Sequence, residues 1–162
     1  MSNKYKEYSI EDFDKFDCLK LSKIFYLVLI FVLRGYLVWL ISLANMNDRV
    51  ATIKWVYPEK NLFLLSLLSG IIGLFVVVII SLRRPDAAKY VKSLWPYCRR
   101  LLVMALLFDF IINLIGYFYW ELTSMFWLIS QTLVVFTLIT LCFTSKRMQI
   151  NLIEFPQTLP EK

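Results

Sequence analysis

IFYLVLIFVLRGYLVWLISLA, residues Ile24–Ala44, is an apolar run with one charged side chain, Arg34, near its middle. A hydrocarbon core about 30 Å thick needs roughly 20 such residues in a helix. Three later runs reach a similar length, Leu62–Leu82, Leu101–Tyr119 and Met125–Thr144. Because backbone polar groups must be paired inside lipid, each run predicts a transmembrane α-helix.

Composition supports the same class of protein. Hydrophobic residues make up 59% of the chain and charged residues 19%, which is far too apolar for a soluble domain of 162 residues. The sequence therefore predicts an all-α fold, a four-helix transmembrane bundle forming one domain over residues 1–162. Residues 1–23 and 145–162 flank the spans.

Charge distribution predicts the orientation. Lys and Arg number five before the first span, six in the second loop and three in the tail, against three in the first loop and none in the third. The positive-inside rule then places both termini in the cytoplasm. Aromatic residues that favour a membrane boundary fall on the opposite side: Trp55, Tyr57, Tyr119, Trp120 and Trp127. We attribute the net charge of +6 to orientation and lipid contact rather than nucleic-acid binding.

Metal and histidine chemistry are disfavoured. The chain has no histidine, and its cysteines, Cys18, Cys98 and Cys142, stand singly without a CxxC spacing. We therefore expect no metal site, no cofactor and no catalytic triad, and we expect that the protein is not an enzyme.

Two buried charges provide the candidate site. Arg34 lies about 15 Å from the cytoplasmic side of the first span and Asp109 about 12 Å from that side of the third, so we predict that they form a contact. Asn113, one turn after Asp109, and Gln131 in the fourth span lie above them and are predicted to bond to each other. This network is interpreted as internal packing, or alternatively as a proton or ion path.

The loop from Arg83 to Arg100 predicts a short interfacial amphipathic helix between the second and third spans. Pro85 suits its first turn and Pro96 its end, and an apolar stripe includes Val91 and Cys98. Six basic residues are predicted to contact anionic phospholipid headgroups, or alternatively an acidic partner: Arg83, Arg84, Lys89, Lys92, Arg99 and Arg100.

Two weaker sequence patterns predict further local structure. Ser9 followed by Asp12 fits a capping box and predicts a short amphipathic helix before the first span. The second span carries small residues that favour close helix packing, namely Ser66, Ser69, Gly70 and Gly73.

Several short motifs resemble the YfeZ-like family of small bacterial inner-membrane proteins, a domain of unknown function. They are Phe13–Lys20, Leu33–Gly35 and Val56–Pro58, and within them Asp14, Lys20 and Arg34 stand out. The chain departs from the family pattern at Asp17, where glycine is expected, and at Leu21-Ser22, where proline is common. The resemblance implies a location in the bacterial inner membrane and no particular activity.

Three functional hypotheses follow. The first is a noncatalytic scaffold or accessory subunit with a membrane protein partner or a second copy of itself. The second is an oligomeric transporter or channel component built on Arg34 and Asp109, although the sequence shows no internal repeat and no interrupted helix. The third is a lipid-headgroup-modifying enzyme in which Lys92, Arg99 and Arg100 hold a phosphate and Asp86 or Glu121 acts as base.

Overall fold

The computed structural model describes residue 5 and residues 8–45, 48–57, 59–119, 121 and 124–157, so Pro58 and Trp120 lie outside it. The described chain is helical, which confirms the all-α class. Its α-helices are α1 Lys23–Val32, α2 Arg34–Ala44, α3 Arg49–Val56, α4 Lys60–Ser81, α5 Lys89–Leu94, α6 Cys98–Phe118, α7 Met125–Thr144 and α8 Lys146–Ile153.

Three of the described helices are long and apolar enough to cross a membrane. They are α4, the continuous helical stretch Lys89–Phe118 that ends in α6, and α7. The pair α1 and α2 meets the same criterion only if both helices are counted as one span, which gives up to four. α4 packs mainly against α6, and α6 also packs against α7.

The first predicted span, Ile24–Ala44, is not one straight helix. It breaks at Leu33, where φ is −89° and ψ is 9°, and α1 and α2 are bent by 70°. The expectation of an uninterrupted helix was therefore wrong. Gly35 follows the break and lies so close to α4 that an added Cβ would be 2.6 Å from Ser66 Oγ, so α2 can rest there only because glycine has no side chain.

The loop between the second and third spans also differs from its prediction. The helix α5 begins at Lys89 rather than Pro85 and ends at Leu94, two residues before Pro96. Pro96 sits in a short 3₁₀ turn, Trp95–Tyr97, where its missing N–H is tolerated, and the chain continues directly into α6. Val91, Trp95 and Cys98 are buried in the protein core, so this face contacts protein rather than lipid.

The segment before α1 is a compact turn rather than the predicted amphipathic helix. Ile10–Asp12 form a single 3₁₀ turn, with the Asp12 carboxylate accepting the Ser9 N–H as the capping pattern predicted. The chain then doubles back through an antiparallel bridge between Phe13 and Leu19. Asp17 lies in the left-handed region with φ of 55°, a conformation that glycine adopts without cost and aspartate tolerates.

The described segments before α1 and after α7 meet the loop before α6 in one assembly, here named the terminal cap, consisting of residues 8–22, 83–97 and 146–155. Its centre is Asn151, which is fully buried on α8. The Asn151 side chain accepts the Ser22 N–H at 2.9 Å and donates to the Leu19 carbonyl at 2.8 Å. The Asn151 carbonyl accepts the Trp95 indole N–H at 2.8 Å, so this one residue joins all three segments.

We predict that Gly35→Ala destabilises the protein by about 1–3 kcal/mol, because its Cβ would overlap Ser66 Oγ and push α2 away from α4. The measurement is the thermal unfolding midpoint in mild detergent, followed by circular dichroism. Gly116→Ala is the matched control, since its Cβ would be 3.7 Å from the nearest atom, an ordinary contact. Equal midpoints for the two variants would contradict the close α2–α4 contact.

We predict that Asn151→Ala loosens the terminal cap, because it leaves the buried Ser22 N–H and Leu19 carbonyl without partners, at about 1–3 kcal/mol each. Hydrogen–deuterium exchange of residues 8–22 should speed up in this variant. Gln149→Ala, on the exposed side of the same helix, should leave exchange unchanged. Unaltered exchange in Asn151→Ala would show that Asn151 does not hold the cap.

Candidate functional site

Arg34 and Asp109 form the contact predicted from their depth. Both Nη atoms of Arg34 lie 3.1 Å from the same oxygen, Oδ2 of Asp109. The Asp109 side chain is 1% exposed and that of Arg34 is 21% exposed, so the carboxylate is enclosed while the Arg34 side chain stays partly accessible. The pair joins the α1–α2 break to the middle of α6.

The helix break places the guanidinium. Arg34 Nη1 also donates to the Phe31 carbonyl at 3.1 Å, and the guanidinium carbon lies 4.6 Å from the centre of the Phe31 ring. The Arg34 side chain thus lies back over the last turn of α1, and the bend directs it toward α6. A carbonyl, a carboxylate and an aromatic face together surround the charge.

Asp109 is held by two further side chains. Ser69 on α4 donates its hydroxyl to Oδ1 at 2.9 Å. Asn113 donates its amide to the Asp109 carbonyl at 2.8 Å and to Oδ2 at 3.4 Å. The sequence predicts only a packing role for Ser69, as one of the small residues of the second span. Its central position on α4 is the signal that it lies level with the charges. The site therefore joins α1, α2, α4 and α6.

Gln131 does not bond to Asn113 as predicted. It is buried on α7, but its Oε1 has no hydrogen-bond partner among the described residues. The physical reason is that the Asn113 amide folds back one turn onto Asp109 of its own helix. The polar network therefore contains Arg34, Asp109 and Asn113 as predicted, together with Ser69 of α4, and it does not include Gln131.

A cavity of about 280 Å³ begins at the ion pair and extends away from the terminal cap. On its α4 side the hydroxyls of Ser66 and Tyr57 are hydrogen bonded at 2.8 Å. Its walls come from α2, α3, α4, α6 and α7. The lining residues are Arg34, Trp55, Val56, Tyr57, Leu62, Leu65, Ser66, Asp109, Ile112, Asn113, Ser124 and Trp127.

Three of the aromatic residues predicted at the membrane boundary therefore line this cavity. Trp55 is 87% exposed and Trp127 is 46% exposed, so the cavity reaches the surface where α3 ends and α7 begins. Tyr57 is buried. Sequence reasoning gave these residues a boundary position, but it could not show that they share a cavity, because that depends on the fold of α2 and α3.

The six basic residues predicted to contact lipid differ in their surroundings. Arg83 turns into the terminal cap, where its guanidinium lies 4.6 Å from the Trp95 ring and donates to the Glu154 carbonyl at 3.3 Å. Burial lowers the pKa of Arg83 from its ordinary value. Lys92, Arg99 and Arg100 lie over aromatic rings, and Arg84 and Lys89 are exposed. Headgroup contact by these residues stays a prediction.

The remaining motif residues, Asp14 and Lys20, shape the turn before α1. The Asp14 carboxylate accepts a hydrogen bond from the Lys15 backbone N–H at 2.7 Å. Lys20 Nζ donates a hydrogen bond to the Glu11 carbonyl at 2.6 Å. Beside them Asp12 pairs with Arg147 of α8 at 2.9 Å. The hydrogen bond from Arg147 lowers the pKa of Asp12, so this carboxylate stays ionised at neutral pH.

The described residues offer little other chemistry. No group of three or more His, Cys, Asp and Glu side chains within the described ranges is placed to hold a metal ion. The cysteines are free and buried, and burial raises the pKa of Cys18 above its ordinary value, which disfavours the reactive thiolate.

Comparison with known proteins identifies a family match. The family model described as "Protein of unknown function (DUF2919)" matches residues 8–154, which is most of the chain. No curated protein and no solved structure matches. The label YfeZ-like is not part of the matching description and stays a prediction.

We predict that Asp109→Asn destabilises the protein by about 3–5 kcal/mol, because it leaves the Arg34 charge unpaired inside the membrane region. The double variant Arg34→Gln/Asp109→Asn should recover part of the loss, since it removes both charges. The midpoint of thermal unfolding in detergent is measured for the wild type, the single variant and the double variant. Asp86→Asn, which changes an exposed carboxylate, is the control. If Asp109→Asn unfolds at the wild-type temperature, the ion pair contributes nothing.

Proposed function

The chain belongs to the DUF2919 family, and we propose that it is a noncatalytic integral component of the bacterial inner membrane, acting as a scaffold or an accessory subunit. The observation that carries this proposal is the full engagement of Asp109. Its carboxylate accepts hydrogen bonds from Arg34, Ser69 and Asn113 and is 1% exposed, so it is occupied in holding helices together.

Four membrane crossings with both termini in the cytoplasm form part of the proposal. The terminal cap supports an even number of crossings, because the segment before α1 and the helix after α7 contact each other there through Asp12 and Arg147. α4, the Lys89–Phe118 stretch and α7 account for three crossings. The pair α1 and α2 then provides the fourth, as a broken span.

The cytoplasmic side is assigned from charge. The chain before the first span, the second loop and the tail, from which the terminal cap is built, together hold 14 of the 18 Lys and Arg residues, and the positive-inside rule places such segments in the cytoplasm. Exposed Arg84 and Lys89 at the cap are available to anionic headgroups, each contributing about 1 kcal/mol near such a surface. The partner of the proposed subunit is another membrane protein or a second copy of the chain.

A transporter or channel component is the second candidate, and the break at Leu33 favours it. Interrupted helices beside a cavity at mid-membrane are typical of transporter binding sites. Here the 70° bend, the charge of Arg34 and the cavity coincide. With at most four crossings, such a component would act as an oligomer.

The lipid-headgroup-modifying enzyme has least support. Glu121 follows the far end of α6, whereas Arg99 and Arg100 lie in its first turn, about 30 Å away along the helix axis. Asp86 is exposed in the loop before α5, as a carboxylate with no hydrogen bond to any described residue. Neither carboxylate therefore lies where it could act as an acid or base on a phosphate held by Lys92, Arg99 and Arg100.

We predict that the tagged full chain, extracted at its natural level in mild detergent, copurifies with one membrane protein or as a defined oligomer of itself. Native mass spectrometry after chemical cross-linking measures this. Membranes from cells with the untagged protein, solubilised in the same detergent, give the background. A solitary monomer in every detergent would count against a scaffold or accessory subunit.

Reporter fusions test the proposed membrane topology independently. Green fluorescent protein fused to either terminus should fluoresce, and alkaline phosphatase fused there should be inactive, because the first folds in the cytoplasm and the second does not. Alkaline phosphatase inserted between α6 and α7 should be active. Activity at one terminus alone would contradict the even number of crossings, and activity at both termini would contradict their cytoplasmic placement.

A further inference from the structure

The wall of the cavity at Arg34 has a surplus of hydrogen-bond donors. A guanidinium has five N–H donors, and the contacts of Arg34 with Phe31 and Asp109 engage three of them. Two N–H groups are thus unused by the described residues, on the one charged side chain at the cavity that is partly exposed. Both Asp109 oxygens already accept hydrogen bonds from protein side chains, whereas the two remaining Arg34 N–H groups are available to an acceptor on a molecule in the cavity.

The rest of the cavity is mainly apolar and aromatic. Leu62, Leu65 and Ile112 form one part of its wall, and the indole rings of Trp55 and Trp127 form another. Indole rings stack favourably on flat ring systems. The volume of about 280 Å³ lies at the small end of ligand pockets and suits one ring or two fused rings.

The net charge of the site favours a neutral ligand. The positive charge of Arg34 is already matched by Asp109 at 3.1 Å. A charged ligand would bring a further ion into a region of low dielectric with no described counter-ion beside it, which is costly. A carbonyl oxygen accepts hydrogen bonds from a guanidinium without adding charge.

We infer that this cavity binds a small neutral molecule with a carbonyl oxygen on a flat apolar body, the oxygen accepting from Arg34 and the rings packing between Trp55 and Trp127. The site opens toward the side of the membrane opposite the terminal cap. This inference goes beyond the proposed scaffold role, which needs no ligand.

Three probes of similar shape test the inference: acetonaphthone, ethylnaphthalene and naphthoate, all substituted at the same ring position. Equilibrium dialysis against the full chain in lipid nanodiscs measures binding, and empty nanodiscs of the same lipid give the partition background. Acetonaphthone should bind one molecule per chain, about tenfold more tightly than ethylnaphthalene, because only the ketone accepts from the charged donor. Naphthoate should show no binding above background.

Variants locate the binding. Leu65→Trp fills the cavity and should abolish binding of acetonaphthone, whereas Leu64→Trp, at a neighbouring position that is 61% exposed, should retain it. Arg34→Lys keeps the charge opposite Asp109 but has only three donors, so the preference for the ketone over ethylnaphthalene should fall to near one. Circular dichroism confirms that each variant is folded.

Four results would overturn the inference. Equal affinity for acetonaphthone and ethylnaphthalene would show an apolar cavity without hydrogen-bond recognition, and tightest binding of naphthoate would show an anion site. Unchanged binding in Leu65→Trp, or no binding of any probe, would show that this cavity is not a binding site. None of these results affects the copurification test of the scaffold proposal.

Discussion

The cost of a charge in hydrocarbon governs this fold. A lone Arg or Asp at the centre of a membrane helix costs at least about 2.5–3.5 kcal/mol, and Arg34 and Asp109 meet at 3.1 Å, each offsetting the cost of the other. The other features of the centre serve this contact. The bend at Leu33 turns Arg34 toward α6, Gly35 lets α2 approach α4, and Ser69 and Asn113 donate further hydrogen bonds to the carboxylate.

Sequence reasoning predicted the features that depend on length and depth. The all-helical class followed from apolar run lengths, and the contact between Arg34 and Asp109 followed from their similar distance from one membrane face. The bend at Leu33 was missed because no proline marks it, and the neighbouring contact of Gly35 with Ser66 joins two segments that are distant in sequence. Gln131 was placed wrongly because depth alone does not show which way an amide turns.

The terminal cap was missed for a similar reason. The tail shows only a short polar stretch in sequence, yet it forms α8 and buries Asn151 completely. The hydrogen bonds of Asn151 reach backbone groups of Ser22 and Leu19, well over a hundred residues away, and such partners leave no periodic pattern. The basic loop before α6 was read as a lipid contact, but its apolar face packs against this tail and against α1, with Phe25 stacked on Trp95. The molecule thus closes at one end through the cap and opens at the other through a cavity that starts from the ion pair.

The most direct test of this account is the distance between the Arg34 guanidinium and the Asp109 carboxylate in lipid. Solid-state NMR can measure it as the dipolar coupling between ¹⁵N-labelled arginine and ¹³C-labelled aspartate, in an Asp12→Asn background that removes the pair formed by Asp12 and Arg147. The account predicts a strong coupling that matches hydrogen-bonded contact and disappears in Asp109→Asn. A chain that is folded in the bilayer but shows no such coupling would contradict it.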